Sequence, residues 1–222
     1  MTEPSPTIRR VLPVLLTLAG TIFVSGTAEY VVAGLLPQLS ADLDVSIAQA
    51  GQLVTGYALA VFLGGPIVTV ATTRLPRKGL MLSLVALFVA GAAISATAGS
   101  YQHLMVGRVV SGLAHATLFA AALSTGAAAA PRNRRGTAIA IMASGLTLAI
   151  VAGAPLGTAI GQAAGWRVTF AGIAVAGIIA LLPLALLVNR KPVPETSVRD
   201  ELSGFAGGWI WLILSVTVLA LA

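Results

Sequence analysis

Three ionisable side chains stand in runs that otherwise avoid charge. Glu29 lies in "GTAEYVVAGLLP", and Arg108 and His115 lie in "LMVGRVVSGLAHATLFAAAL". A carboxyl in apolar surroundings can change protonation as those surroundings alternate between wet and dry, and a guanidinium nearby favours its charged form. His115 follows Arg108 by seven residues, two helical turns, and so shares its face. It reads either as a hydrogen-bonded packing residue or as part of the same proton site. A charge inside such a run is expensive, which by default suggests function.

Each charge also has a plainer reading. Arg108 is about five residues, roughly 7 Å, inside the outer end of its run, near enough to snorkel to an interface. Its neighbours Gly107, Ser111 and Gly112 are small, which lets another helix approach and favours a face turned into a bundle. Glu29 lies about seven residues, roughly 10 Å, before Leu36, a similar depth. The two charges form either a proton-handling site or a static pair that locks the outer side.

The elements that carry these residues are membrane spans. The chain is 57% hydrophobic and 9% charged, with a mean hydropathy of +0.96, too little polar surface for a soluble domain to cover itself. Taking about 20 residues per crossing, the spans run near Val11–Leu36 (ending at Pro37), Ala48–Thr72, Gly79–Ala98, His103–Ala129, Gly136–Ala163 and Val168–Val188. A further apolar run from Trp209 to Ala222 is too short to cross comfortably and reads as a truncated seventh helix. The expectation is an all-α membrane protein: a six-transmembrane-helix bundle over 1–188, a cytoplasmic linker over 189–206, and the start of a second bundle over 207–222.

Of the thirteen Lys and Arg residues, eleven fall beside the N-terminus or in the loops on its side; Arg167 is opposite and Arg108 is inside a span. Positive residues mark the cytoplasmic side, so the N-terminus is expected inside a plasma (inner) membrane, with the chain multi-pass. The short basic clusters fit topology control rather than a nucleic-acid face. The basic, apolar beginning also resembles a signal peptide, but the run continues past Glu29 to Leu36 and reads better as a retained first span. There are no cysteines, and no phosphate loop, metal cluster, nucleophile constellation or paired carboxylates appear. No enzyme, no cofactor and no metal site is expected.

In the fifth span, Gly145, Gly153, Gly157 and Gly161 recur at multiples of four with Pro155 among them. This is a nearly side-chain-free face for tight helix packing, with a kink. The loop "GGPIVTVATTRLPRKGL" carries three bases, ordinary for an inner loop.

Four stretches together resemble the N-terminal half of a major facilitator superfamily transporter, of the bacterial drug:proton antiporter or arabinose-efflux-permease type. "GTAEYVVAGLLPQLSADLDVS" resembles the acid-bearing first helix, and "GRVVSGLAHA" the fourth-span motif, at Arg108 and Gly112. "GAPLG" resembles the antiporter signature, at Gly153, Pro155 and Gly157, and "GPIVTVATTRLPRK" the loop motif, at Gly65, Arg74, Arg77 and Lys78. "GWR", Gly165 to Arg167, is also usual before the sixth span. Three positions depart: Thr73 stands where the loop motif has aspartate and Pro76 where it has glycine, and Ala154 replaces a frequent glycine before Pro155. The resemblance implies two three-helix repeats per bundle, a missing C-terminal six-helix half, and as partners a small-molecule substrate, protons and the lipid bilayer. Three readings follow: proton-coupled efflux of drugs, sugars or nucleosides; a proton-independent facilitator gated by Glu29 and Arg108; or a non-transporting membrane fragment.

Overall fold

In a bilayer every backbone N–H and C=O must be satisfied within its own segment, so a long apolar run resolves as helix. The computed structural model describes residues 8–72 and 75–188, and no strand occurs among them. The helices are α1 (Ile8–Asp42), α2 (Ile47–Thr72), α3 (Arg77–Ala96), α4 (Tyr101–Ala129), α5 (Arg135–Leu148), α6 (Ala154–Ala164) and α7 (Trp166–Leu187). A π turn, Ala149–Gly153, joins α5 to α6, so the two form a single crossing. Among the described residues, six crossings are long and apolar enough to span a membrane. The linker at 189–206, the seventh run at 207–222, and Arg74 lie outside the described residues.

Two local features differ from expectation. Helix α1 does not end at Pro37 but continues through it to Asp42. Proline removes one i→i−4 bond, and here the carbonyl it abandons belongs to Ala33, which is exposed. The Ser40 hydroxyl donates to the Val45 carbonyl at 2.6 Å and closes the turn beyond. In the fifth crossing, the disturbance expected at Pro155 appears just before it as the π turn, in which the Ala154 N–H reaches back five residues to the Ala149 carbonyl. Widening the helix there relieves the missing donor and the ring clash.

The packing repeats itself. Helix α4 lies along α2 as α1 lies along the fifth crossing; α3 packs on α4 as α7 packs on α1; α3 meets α7, and α1 meets α4. Exchanging crossings 1, 2 and 3 for 4, 5 and 6 maps this set of contacts onto itself, the pattern of two three-helix repeats. Because each repeat holds an odd number of crossings, the second runs opposite to the first. Phe62, Val151, Leu182 and Leu186 are left exposed, as suits side chains that face lipid.

Close approach along both long seams depends on glycine. A Cβ on Gly145 would meet the Ala19 carbonyl oxygen, one on Gly153 would meet Thr27, and one on Gly157 would meet Val31. On the partner seam, a Cβ on Gly112 would meet the Tyr57 carbonyl and Ala60, and one on Gly64 the backbone of Leu113. These contacts bring α4 against α2 at the height where Arg108 and His115 project.

Candidate functional site

Arg108 is 1% exposed. Its side chain does not reach an interface, which rules out snorkelling. One guanidinium nitrogen, Nη1, donates to the Ala28 carbonyl at 2.5 Å, and the group lies over the Tyr57 ring, 4.0 Å from its centroid. Arginine suits this place because its flat, weakly hydrated cation can stack on a ring and donate at its edge together. The Nε and Nη2 atoms are buried without a hydrogen-bond partner among the described residues.

Glu29 does not pair with Arg108. Its Oε2 stands 3.4 Å from His115 Nε2, with the Glu29 side chain 32% exposed. The other imidazole nitrogen, Nδ1, is 2.9 Å from the Tyr57 hydroxyl, and the two rings meet edge to face. Carboxyl, imidazole, phenol and guanidinium thus form a continuous sequence from an accessible end at Glu29 to a buried end at Arg108. The three residues singled out in the sequence come together here, and the static Glu29–Arg108 ion pair is not formed. Tyr57 was not foreseen; its signal was a polar-tipped aromatic alone in the second span, next to Gly56.

The other candidate positions do different work. Gly145, Gly153 and Gly157 pack the fifth crossing onto α1, and Pro155 follows the π turn. Gly65 packs on Ala116 of α4, and its carbonyl accepts from the Thr117 hydroxyl at 3.3 Å. Arg77 and Lys78 open α3; Arg77 borders a largely apolar groove of about 260 Å³ shared with Thr69, Thr72 and Thr117.

A second polar group closes the opposite rim. Arg167 pairs with Asp42 at 2.6 Å, Nη1 to Oδ2, and its Nε donates to the Ala98 carbonyl at 2.9 Å. The guanidinium lies 4.1 Å over the Trp166 ring, and the Trp166 indole N–H donates to Asp42 at 3.0 Å. The Arg167 and Trp166 donors hold the Asp42 carboxyl below the usual range. In the sequence Arg167 is the one base on its side, and the loop after the first span carries Asp42 and Asp44; that complementarity is the signal for this group.

A family model described as Major Facilitator Superfamily matches residues 18–222. The chain belongs to this superfamily. Its members are membrane transporters, not enzymes. The chain is 39% identical over 210 residues to the MFS-type transporter YtbD of Bacillus subtilis (strain 168), covering 94% of this chain and 53% of YtbD. It is also 39% identical over 164 residues to a chloramphenicol resistance protein of Streptomyces lividans, covering 74% of this chain and 42% of that protein. The crystal structure of the peptide transporter POT in complex with sulfate aligns with a TM-score of 0.72 at 16% identity, over 98% of this chain and 47% of POT, a likeness of fold. The chain spans about half the length of the curated relatives it matches.

Proposed function

We propose that this chain supplies the first six-helix bundle of a proton-coupled exporter of small amphipathic molecules, working by alternating access against a second bundle in the plasma membrane. The observation that carries this reading is Glu29: a partly exposed carboxyl inside its span, against a histidine and not against the buried arginine. A carboxyl committed to Arg108 would stay ionised; one whose neighbour is an imidazole is free to take a proton from one side and release it on the other. The chloramphenicol resistance relative supports a drug-like cargo. The basic loops support an N-terminus in the cytoplasm.

The test is Glu29→Gln in the full-length protein in proteoliposomes. Proton-driven substrate accumulation should vanish while substrate exchange persists. Undiminished accumulation would leave a facilitator in place of an antiporter. Single cysteines at Ser40 and Asn133, in a chain with none of its own, should label from opposite sides of the membrane; labelling of both from outside would overturn the topology.

A further inference from the structure

We propose that Tyr57 is the positioning residue of this site: its hydroxyl donates to His115 Nδ1, keeps the imidazole neutral with its proton on Nε2, and so holds an N–H toward Glu29. The inference deepens the proton-coupled reading above and rests on it for its consequence in transport.

The argument is one of proton placement. Tyr57 is 1% exposed, and a buried phenol needs an acceptor. Among the described residues, the one hydrogen bond of its hydroxyl is the 2.9 Å contact to Nδ1. Were the imidazole proton on Nδ1, the Tyr57 oxygen would accept, its own proton would be buried without a partner, and the Nε2 lone pair would face the Glu29 oxygen 3.4 Å away. With the proton on Nε2, Tyr57 donates, Nδ1 accepts, and the positive edge of the ring meets the carboxylate. A doubly protonated ring would deny Tyr57 its acceptor and place a second buried cation on the helix that already holds Arg108.

The charged and titratable groups around the Tyr57–His115 pair are Glu29 and Tyr30 from α1 and Arg108 from α4. The Tyr57 ring is itself held by the guanidinium on its face and by the close approach of α4 at Gly112. Its hydroxyl is therefore aimed by Arg108, and the imidazole by the hydroxyl. In the transport step, a proton from the cavity adds to a Glu29 oxygen and later leaves it; His115 stays neutral throughout and supplies only the hydrogen-bond donor.

The experiment is ¹⁵N NMR of histidine-labelled full-length protein in lipid nanodiscs, with the His115 signals assigned by their loss in His115→Gln. The wild type should show one neutral tautomer, protonated at Nε2, and Glu29→Gln should keep it because Tyr57 sets it. Tyr57→Phe retains the ring under Arg108 and should give a mixture of tautomers, with proton-driven accumulation down about tenfold. A proton on Nδ1 in the wild type would overturn the proposal without any variant. So would an unchanged tautomer in Tyr57→Phe, or a switch in Glu29→Gln. If Glu29→Gln still accumulated substrate against a gradient, the proton reading would fail while the tautomer assignment stood.

Discussion

The membrane-buried cluster and the rim cluster are built from the same parts. Each has an acid on α1 (Glu29, Asp42) and an arginine stacked on a ring at about 4 Å (Arg108 on Tyr57, Arg167 on Trp166). In each, the arginine donates to an alanine carbonyl, Ala28 or Ala98. They differ in what the acid does. At the rim, acid and arginine are joined and both are over 40% exposed. In the bundle, the arginine is buried, the acid turns to a histidine, and two guanidinium nitrogens have no hydrogen-bond partner among the described residues. The rim arrangement spends its acid on tying three chain segments together. The inner one leaves its acid without an arginine partner, the arrangement that the proposed proton coupling needs. Identical parts therefore do not imply identical work; the pairing decides.

The largest expected effect is at Arg108. Arg108→Ala should lower stability by about 3 kcal/mol, through the cavity it leaves and the lost packing on Tyr57. Thermal unfolding of the purified protein measures it. Arg108→Lys should recover less than half, since an ammonium cannot lie on the ring and reach Ala28 together. A loss below about 1 kcal/mol, typical of an exposed ion pair, would erase the distinction between the clusters.

Next is the acid. Because Arg108 leans on Ala28 and Tyr57, Glu29→Gln should cost less than about 1 kcal/mol even as it stops coupled transport. In a double-mutant cycle with Arg108→Ala, the coupling should be small, about 0.5–1 kcal/mol, because the two charges are linked only through Tyr57 and His115. If removing both charges instead restored stability, the pair would be a lock like the one at the rim.

The crossings are legible in the sequence because lipid imposes one rule on every residue of a span. A local rule can mislead there: Pro37 reads as a stop, yet its exposed position lets α1 run on to Asp42. For the site, Glu29, Arg108 and His115 stand out because charge is rare in such runs. Which of them touch does not follow from spacing. Similar depth suggests a Glu29–Arg108 pair, but it cannot reveal that Tyr57, from a third helix, stands over the guanidinium and binds the imidazole. The glycine stripe shows where helices meet, and only three-dimensional packing shows that Gly112 presses on the backbone of Tyr57 itself.

The smallest effect is expected at the rim. Asp42 and Arg167 are 46% and 41% exposed, and an ion pair that open to water is worth roughly 0–1 kcal/mol. Asp42→Asn should therefore change stability by no more than that and leave transport unaltered. The pH dependence has a definite sign. Donors from Arg167 and Trp166 depress the folded-state pKa of Asp42 below its ordinary value of 3.8. The contribution of the staple is complete above that value, constant from about pH 5 to 8, and lost only as pH falls through the folded-state value. In Asp42→Asn this acid limb should disappear from the unfolding curve, and in the wild type high salt should shrink the difference between the two proteins. Loss of coupled transport in Asp42→Asn, with stability nearly unchanged, would mean that the rim acid also handles protons, and the contrast between a committed and an uncommitted carboxyl would no longer separate the two clusters.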